Sequence, residues 1–506
     1  MHLPIINQKI SVSVVFVASL FMSIMDTTIV NVALPSLSRQ FDAAGTSIDA
    51  IVVGYLVSLA IVIPASGWLG DRLGTKRVLL GALGLFTIAS ALCGLAPNLP
   101  TLIGFRVLQG LGGGALTPVG TAILYRTFPP IERVQVSRIL TIPTVFAPAL
   151  GPVIGGLLVD RLSWRWVFYV NVPIGIAVFV FGLLFLNEHR ERTAKSFDLP
   201  GFLLGGLGLA LTMYALSEGP NYGWTSASIL STLILGLVGL TTFVFVELRS
   251  THPMLDLRLF SNRIFRTGNI VSFFSTGGFL ALLFVFPLFL QQGLGVSAFV
   301  SGLTTFPEAL GVLLGTQIAT RLYPNVGPRR LIVGGLICVA AFMTVMSFTG
   351  QEANLWLLRA LMFIIGAGQA FCFTSVQAAA FATVSSAQTG QGSAIFNAQR
   401  QVGASFGVAL LGSILSIVGL TQVGAAGRIV PNLTAYHAAF FTSAVFAIIA
   451  AGIALMIRDS DAAATMRRKV QPSQQETVQD REPEQEKIPV ALAQEEHLHS
   501  LPAIGD

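Results

Sequence analysis

The sequence predicts an all-α integral membrane protein with fourteen transmembrane helices. Of its 506 residues, 53% are hydrophobic and only 11% are charged, and the mean hydropathy is +0.75. This composition is far more apolar than that of a soluble globular protein. Long apolar runs recur along the chain and are too long for the alternating strands of a membrane barrel. Because lipid leaves no backbone group unpaired, we interpret these runs as helices.

Fourteen apolar runs supply the predicted spans. The first run is long enough to cross a bilayer and continues directly into the second, so we expect no cleaved signal peptide. The spans are expected at 10–34, 48–69, 78–97, 100–123, 137–159, 166–187, 199–217, 226–248, 267–291, 299–322, 329–349, 354–383, 401–423 and 433–457.

The distribution of lysine and arginine predicts the topology. Assigning alternate loops to two sides places most basic residues, including Arg400, on one side and only Arg39, Arg161, Arg165 and Arg428 on the other. By the positive-inside rule, both termini are cytoplasmic. The net charge of +6 therefore reports topology rather than nucleic-acid binding. Compact loops indicate a bacterial protein of the cell inner (plasma) membrane.

An internal repeat predicts two related halves. At an offset of 253 residues, Gly74, Lys76 and Arg77 match Gly327, Arg329 and Arg330, and Arg106 matches Arg359. Parallel repeats with a site between them are typical of secondary transporters. Six spans in each half leave two over. The expected organisation is an N-terminal six-helix half (1–187), two extra helices with cytoplasmic linkers (188–266), a C-terminal six-helix half (267–457) and a disordered cytoplasmic tail (458–506).

A carboxylate at membrane depth is the first candidate functional group. Asp26 is the only charged residue in the first predicted span. An ionised side chain at this depth costs at least about 2.5 kcal/mol, so such residues usually face a bundle interior or a wet cavity. They commonly mark a path for substrate, ions or protons.

The loop between the second and third spans has the composition of a gate. Its glycines permit a tight turn, and its acidic residue can pair with basic groups in one conformation and release them in another. A simple topological turn with positive-inside charges is the alternative interpretation. The residues assigned to this gating loop are Gly67, Asp71, Arg72, Gly74, Lys76 and Arg77.

This loop resembles the signature loop of the major facilitator superfamily, whose members move small molecules by alternating access of two six-helix halves. Four further stretches resemble its fourteen-span drug:proton antiporter family, of the multidrug efflux type. The resemblance covers about Ile10 to Arg458 and implies a major-facilitator-type fold of two six-helix halves plus two inserted helices. The four stretches are Met25–Pro35, Arg106–Gly112, Ala147–Gly156 and Trp164–Gly175.

The resemblance implicates Arg106 in proton coupling, and we pair it with Asp26. A nearby cation keeps a carboxylate ionised, and loss of that contact in a poorly solvated site favours protonation. Gln109 lies three residues after Arg106 on the same helix face. The alternative is a permanent buried ion pair without a role in transport.

The fifth span carries the stretch that the resemblance associates with antiport: Gly151, Pro152, Gly155 and Gly156. Proline removes a backbone hydrogen bond and small residues permit close helix contact, so we expect this helix to be kinked and smooth. In the family this stretch limits leakage during switching. Tight packing alone would explain the same residues, and the two interpretations are compatible.

Glu308 is a candidate outside the quoted motifs. It is the only acidic residue deep in the second half of the predicted spans. At that depth it should face the cavity, where it could attract a cationic compound or carry a proton. A position nearer the membrane interface is the alternative.

Several function classes lack their sequence signatures. The chain has no GxxxxGK[ST] phosphate-binding stretch and no HExxH pattern, and its three cysteines are widely spaced within apolar runs. We therefore expect no ATP-driven export, no metal site, no disulfide framework and no cofactor. No constellation of nucleophile and base indicates an enzyme.

The sequence thus predicts a proton-coupled antiporter that exports hydrophobic, cationic or amphiphilic drugs or toxic compounds. The expected partners are a small hydrophobic substrate, protons and membrane lipid, without nucleic acid. A periplasmic adaptor protein and an outer-membrane channel are further candidates. A dedicated metabolite exporter, a less favoured importer, and a non-transporting membrane sensor remain alternatives.

Overall fold

Long helices form nearly all of the computed structural model, which describes residues 7–42, 46–190, 198–250, 253, 255–423 and 429–466. The first half and the inserted pair comprise α1 (Gln8–Phe41), α2 (Thr46–Leu73), α3 (Thr75–Leu95), α4 (Leu99–Thr127), α5 (Arg133–Arg161), α6 (Trp166–Tyr169), α7 (Asn171–Phe185), α8 (Leu199–Tyr222) and α9 (Ala227–Arg249). The second half comprises α10 (Arg263–Leu288), α11 (Ala298–Thr305), α12 (Pro307–Val326), α13 (Pro328–Met346), α14 (Leu355–Ala380), α15 (Thr389–Val418) and α16 (Leu433–Ala454).

The predicted fold class is confirmed, and twelve of the fourteen predicted spans each correspond to one helix. Two of the spans are divided: α6 and α7 form the sixth, and α11 and α12 form the tenth. Within the described ranges, twelve segments are long and apolar enough to cross a membrane. The count of fourteen crossing helices stays a prediction.

The helix α15 does not match the bounds of the thirteenth predicted span, 401–423. It begins at Thr389, so Arg400 lies inside α15 and the assignment of this residue to a loop is wrong. The residues before Arg400 are polar, as loop residues commonly are, but they pack between helices. Ser393 Oγ donates to the Pro118 carbonyl of α4 at 2.8 Å. After α15, strands β1 (Thr421–Val423) and β2 (Ile429–Pro431) pair antiparallel.

The chain after α16 begins with ordered structure rather than with the tail predicted from residue 458. Asp459–Thr465 form a 3-10 helix. The Thr465 and Tyr323 hydroxyls lie 2.8 Å apart, and Asp461 is 3.5 Å from the Arg263 guanidinium. These contacts compensate for the ordering entropy of a polar segment. Residues 467–506 of the predicted tail lie outside the described ranges.

The same local arrangement occurs at corresponding positions of the internal repeat, at the N-termini of α3 and α13. Gly74 and Gly327 adopt positive φ angles of 102° and 88° directly before α3 and α13. In each case the second residue after the glycine donates its backbone N–H to a carboxylate from beyond the last helix of the same half. Glu188 accepts at 2.9 Å and Asp459 at 3.0 Å. A carboxylate at a helix N-terminus satisfies free N–H groups and the helix dipole.

The inserted pair lies beside the bundle, at the boundary between the halves. Helix α8 packs against α2 and α15, and α9 packs mainly against α8. Ala60 of α2 and Leu209 and Met213 of α8 share one buried apolar cluster. Trp224, just after α8, donates its indole N–H to Ser413 of α15 at 2.5 Å. Most of α9 is exposed, as expected of a lipid-facing helix.

The two halves meet directly at the end of the bundle that holds the gating loop. A Cβ atom on Gly67 of α2 would lie 2.9 Å from the Gly390 carbonyl oxygen of α15. The rings of Tyr125 in α4 and Phe381 after α14 stack with centroids 4.4 Å apart. Backbone contact and ring stacking leave little space between the halves at this end.

Close helix contact in the second half predicts a specific sensitivity to added volume. A Cβ atom on Gly407 of α15 would overlap the Gly277 carbonyl of α10. We expect Gly407→Ala to cost about 1–3 kcal/mol through overpacking and to lower the apparent Tm of the detergent-purified protein. Gly452→Ala in α16 is the matched control, because that position faces open space. Equal melting of the two variants would contradict the close α10–α15 contact.

Candidate functional site

A carboxylate buried among three polar side chains forms the centre of the candidate site. Asp26 of α1 has no exposed surface. Its Oδ2 accepts from Arg106 Nη1 at 2.5 Å, while its Oδ1 accepts from Gln109 Nε2 and Asn171 Nδ2, both at 2.9 Å. The donors belong to α4 and α7. The carboxylate is therefore ion-paired and hydrogen-bonded on both oxygens, as a buried charge requires.

The guanidinium of Arg106 is also held from several directions. Its Nε donates to the Ile51 carbonyl of α2 at 3.2 Å, and its Nη1 also donates to Gln109 Oε1 at 2.7 Å. The Tyr55 ring lies 4.2 Å from the guanidinium carbon, a cation–π distance. Arg106 Nη2 has no acceptor among the described residues. The arginine thus joins α1, α2 and α4 with one donor unused.

A second layer of polar groups orients the two amides. Ser90 Oγ of α3 accepts from Gln109 Nε2 at 3.1 Å and from Asn171 Nδ2 at 3.2 Å, and it donates to the Phe168 carbonyl at 2.9 Å. Six helices of the first half, α1, α2, α3, α4, α6 and α7, therefore contribute to one polar network. Within such a network the loss of one member leaves others unsatisfied.

Glycines of the fifth helix hold α1 close to the site. A Cβ on Gly151 would overlap the Thr28 side chain, and one on Gly155 would lie 2.8 Å from Ile29. Both partners follow Asp26 within one turn of α1. Gly156 faces open space, and the side chain of Pro152 lies outside the described part of α5. Two of the three glycines of the predicted antiport stretch thus position the helix that carries Asp26.

An ion pair joins the gating loop at the end of α2 to α4. Asp71 Oδ1, at the end of α2, accepts from Arg126 Nη2 of α4 at 2.6 Å. Lys76 Nζ donates to a carbonyl of α7 at 2.8 Å, and Arg77 lies 3.6 Å from Glu188. Arg72 is exposed at the end of α2. The acidic residue is therefore paired in this conformation, in which the two halves touch at Gly67.

Glu308 does not join the polar network of the first half. It is the second residue of α12, directly after the break between α11 and α12, and is 8% exposed. Its backbone packs so closely on α14 that a Cβ on Gly366 would overlap the Glu308 carbonyl. Among the described residues, Glu308 makes no hydrogen bond and no ion pair. The predicted orientation of Glu308 toward a cavity stays a prediction.

The family model described as Major Facilitator Superfamily matches this chain over residues 16–306 and 268–496. The two matches together span nearly all of the helical bundle. The chain belongs to the major facilitator superfamily.

Other comparisons agree with this membership. The multidrug resistance protein B homolog of Mycobacterium tuberculosis (strain CDC 1551 / Oshkosh) is 34% identical over 399 residues, which are 78% of this chain and 74% of that protein. The human organic anion transporter MFSD10 (TETRAN) has a similar fold, with a TM-score of 0.63 at 14% identity, covering 90% of this chain and 100% of its own. The proton:xylose symporter XylE has a TM-score of 0.59 at 15% identity, covering 88% and 95%.

The structure brings together three of the four residues that the sequence singles out for coupling or substrate. Asp26, Arg106 and Gln109 share one network, and Glu308 lies in the other half of this facilitator. Sequence reasoning missed Asn171 and Ser90, which complete the network. A polar residue within an otherwise apolar run was the available signal for Asn171, because such a group must be satisfied when it is buried.

The buried ion pair predicts strongly non-additive mutations. Removing one partner of a buried pair costs about 3–5 kcal/mol because the other charge is left uncompensated. We expect Arg106→Gln to destabilise the transporter by this amount, and Asp26→Asn combined with Arg106→Gln to be more stable than Arg106→Gln alone. Unfolding of the purified proteins by heat or by sodium dodecyl sulfate measures both. Additive losses would show that the two side chains are not energetically coupled.

Proposed function

We propose that this facilitator is a proton-coupled antiporter that exports hydrophobic, cationic or amphiphilic compounds by alternating access. The main observation behind this proposal is the Asp26–Arg106 pair, in which a titratable carboxylate and its counter-charge lie entirely inside the bundle. A carboxylate at membrane depth is a suitable proton carrier, because a change in its partner decides which protonation state is stable.

The proposed coupling step is the separation of Asp26 from Arg106 when the helices of the first half rearrange. In the paired state the carboxylate is ionised, since three donors satisfy its two oxygens. Loss of the guanidinium favours uptake of a proton at Asp26 Oδ2. Return of Arg106 to the carboxylate expels that proton.

Alternating access follows from the contact at the gating loop. With both termini in the cytoplasm of an inner-membrane protein, the touching ends of α2 and α15 face the cytoplasm. The conformation described is then closed to the cytoplasm. Opening requires Gly67 to separate from Gly390. The Asp71–Arg126 pair can then rearrange.

The cargo assignment rests on the relative named a multidrug resistance protein B homolog, at 34% identity over 78% of this chain. Glu308 is buried and its side chain has no partner among the described residues, which supports a role in attracting cationic compounds or in carrying a proton. Close packing of α1 against Gly151 and Gly155 supports an exchange mechanism that leaks few protons.

Proton release measures the proposed coupling directly. In acidified inverted vesicles, lipophilic cations such as tetraphenylphosphonium should elicit dye-reported proton efflux in the wild type. Asp26→Asn should lower that response at least about tenfold, because the proton carrier is lost, and Glu308→Gln should lower it for cations. Glu352→Gln is the matched control, since Glu352 is exposed in a loop of the same half.

The outcome is decisive in both directions. A wild-type response that survives both substitutions would place the coupling proton elsewhere. A wild type that releases no proton for any lipophilic cation would favour a dedicated metabolite exporter.

The closed cytoplasmic end predicts a second result. Gly67→Leu cannot keep its contact with the Gly390 backbone, and an overpacking cost of about 1–3 kcal/mol disfavours the closed conformation. A cysteine placed at Ser393, in a background without the three native cysteines, should then react with N-ethylmaleimide about tenfold faster. Gly81→Leu in α3 is the control, because that position has open space. An unchanged rate with Gly67→Leu would argue against this gate.

A further inference from the structure

Arg400, inside a helix of the second half, has no ion-pair partner among the described residues. Arg400 lies on α15, about 16 Å along the axis from the first residue of the helix and about 27 Å from the last. Its side chain is half-buried. Among the described residues it makes no hydrogen bond and no ion pair. An uncompensated cation at this depth is costly, and such residues usually serve a function.

The position of Arg400 on its helix directs it toward the boundary between the halves. Ser393 lies seven residues earlier, which is close to two full turns, so the two residues share a face. Ser393 Oγ donates to the Pro118 carbonyl of α4 in the first half. Arg400 therefore lies about 10 Å farther from the closed end, on the face of α15 that meets the other half.

Arg400 differs in this respect from two arginines of the first half, one fully buried in α4 and one in the last turn of that helix. Arg106 is fully buried and paired with Asp26, and Arg126 is paired with Asp71. In both cases the chain supplies the counter-charge. For Arg400, no counter-charge comes from the described residues in this conformation, which leaves the guanidinium available to a bound anion.

An aromatic surface lies one turn farther along α15. A Cβ on Gly403 would lie 2.7 Å from the Phe273 carbonyl of α10, so the two helices touch there. The half-buried Phe273 ring lies 5.2 Å from Phe274 and 5.8 Å from Phe406, centroid to centroid. A guanidinium on one turn of α15 and an aromatic cluster at the next turn suit a ligand with an acidic group on an aromatic body.

We propose that Arg400 binds the acidic group of aromatic, acid-bearing amphiphiles, and that a carboxylate or sulfonate is the group recognised. The planar guanidinium matches such anions with two parallel hydrogen bonds. This inference rests on the proposed export function and extends its cargo from cations to organic acids. Glu308 and Arg400 then give the second half one site of each charge.

Binding of two matched fluorescent probes tests the proposal. 1-Pyrenebutyrate and 1-pyrenebutanol share their aromatic body and differ in the acidic group. The five tryptophans of the chain can transfer excitation energy to bound pyrene. At pH 7.5, the detergent-purified full chain should bind pyrenebutyrate about tenfold more tightly than pyrenebutanol, a difference of about 1.4 kcal/mol.

The variants separate recognition from folding. Arg400→Gln should bind the two probes equally while keeping wild-type affinity for pyrenebutanol, and Arg400→Lys should keep part of the preference. Arg359→Gln is the control, because Arg359 stacks over Trp356 near the start of α14 and should leave the preference unchanged.

Two results would overturn the proposal. One is a wild type without preference for the acid. The other is an Arg400→Gln variant that loses both probes equally, since Arg400 would then maintain the structure of the site or pair with a carboxylate in another conformation. The assay uses no ion gradient, so its result is independent of whether the chain exchanges protons for drugs.

Discussion

The ion pair between Asp26 and Arg106 is the constraint on which the first half depends. Two opposite charges without solvent are stable only when their remaining donors and acceptors are satisfied. Satisfying them requires Gln109 and Asn171 at the carboxylate, Ile51 at the guanidinium, and therefore several helices in fixed register. The polar network thus specifies how the helices of this half are arranged, beyond what their apolar surfaces could specify.

The close approach of the helices follows from the same constraint. Short side chains such as aspartate and asparagine reach one another only when the helices carrying them lie near each other. The glycines of α5 permit that approach at α1, where Thr28 and Ile29 fill the space that a larger side chain would need. The glycines of α5 and the charge of Asp26 therefore depend on each other, because larger side chains on α5 would displace α1 and separate Asp26 from its hydrogen-bond partners.

Much of this arrangement could be predicted from the sequence, because a charge within an apolar run has few acceptable environments. That argument found Asp26, whereas the family resemblance added Arg106 and the shared helix face added Gln109. It did not find Ser90, because serine is common in membrane helices and its hydroxyl can bond to its own backbone. It also misplaced Arg400, since a run of polar residues has the same composition whether it is a loop or a buried contact. Three-dimensional packing alone separates these cases.

The position of α8 gives the bundle an asymmetry that two equal halves would lack. The halves adjoin along two seams. On one, α8 covers the junction of α2 and α15, while on the other α5 meets α12 and α14 directly. Lipid is therefore kept away from the first seam. The second seam has no such cover among the described helices, so the surfaces that the bundle presents to the bilayer differ on its two sides.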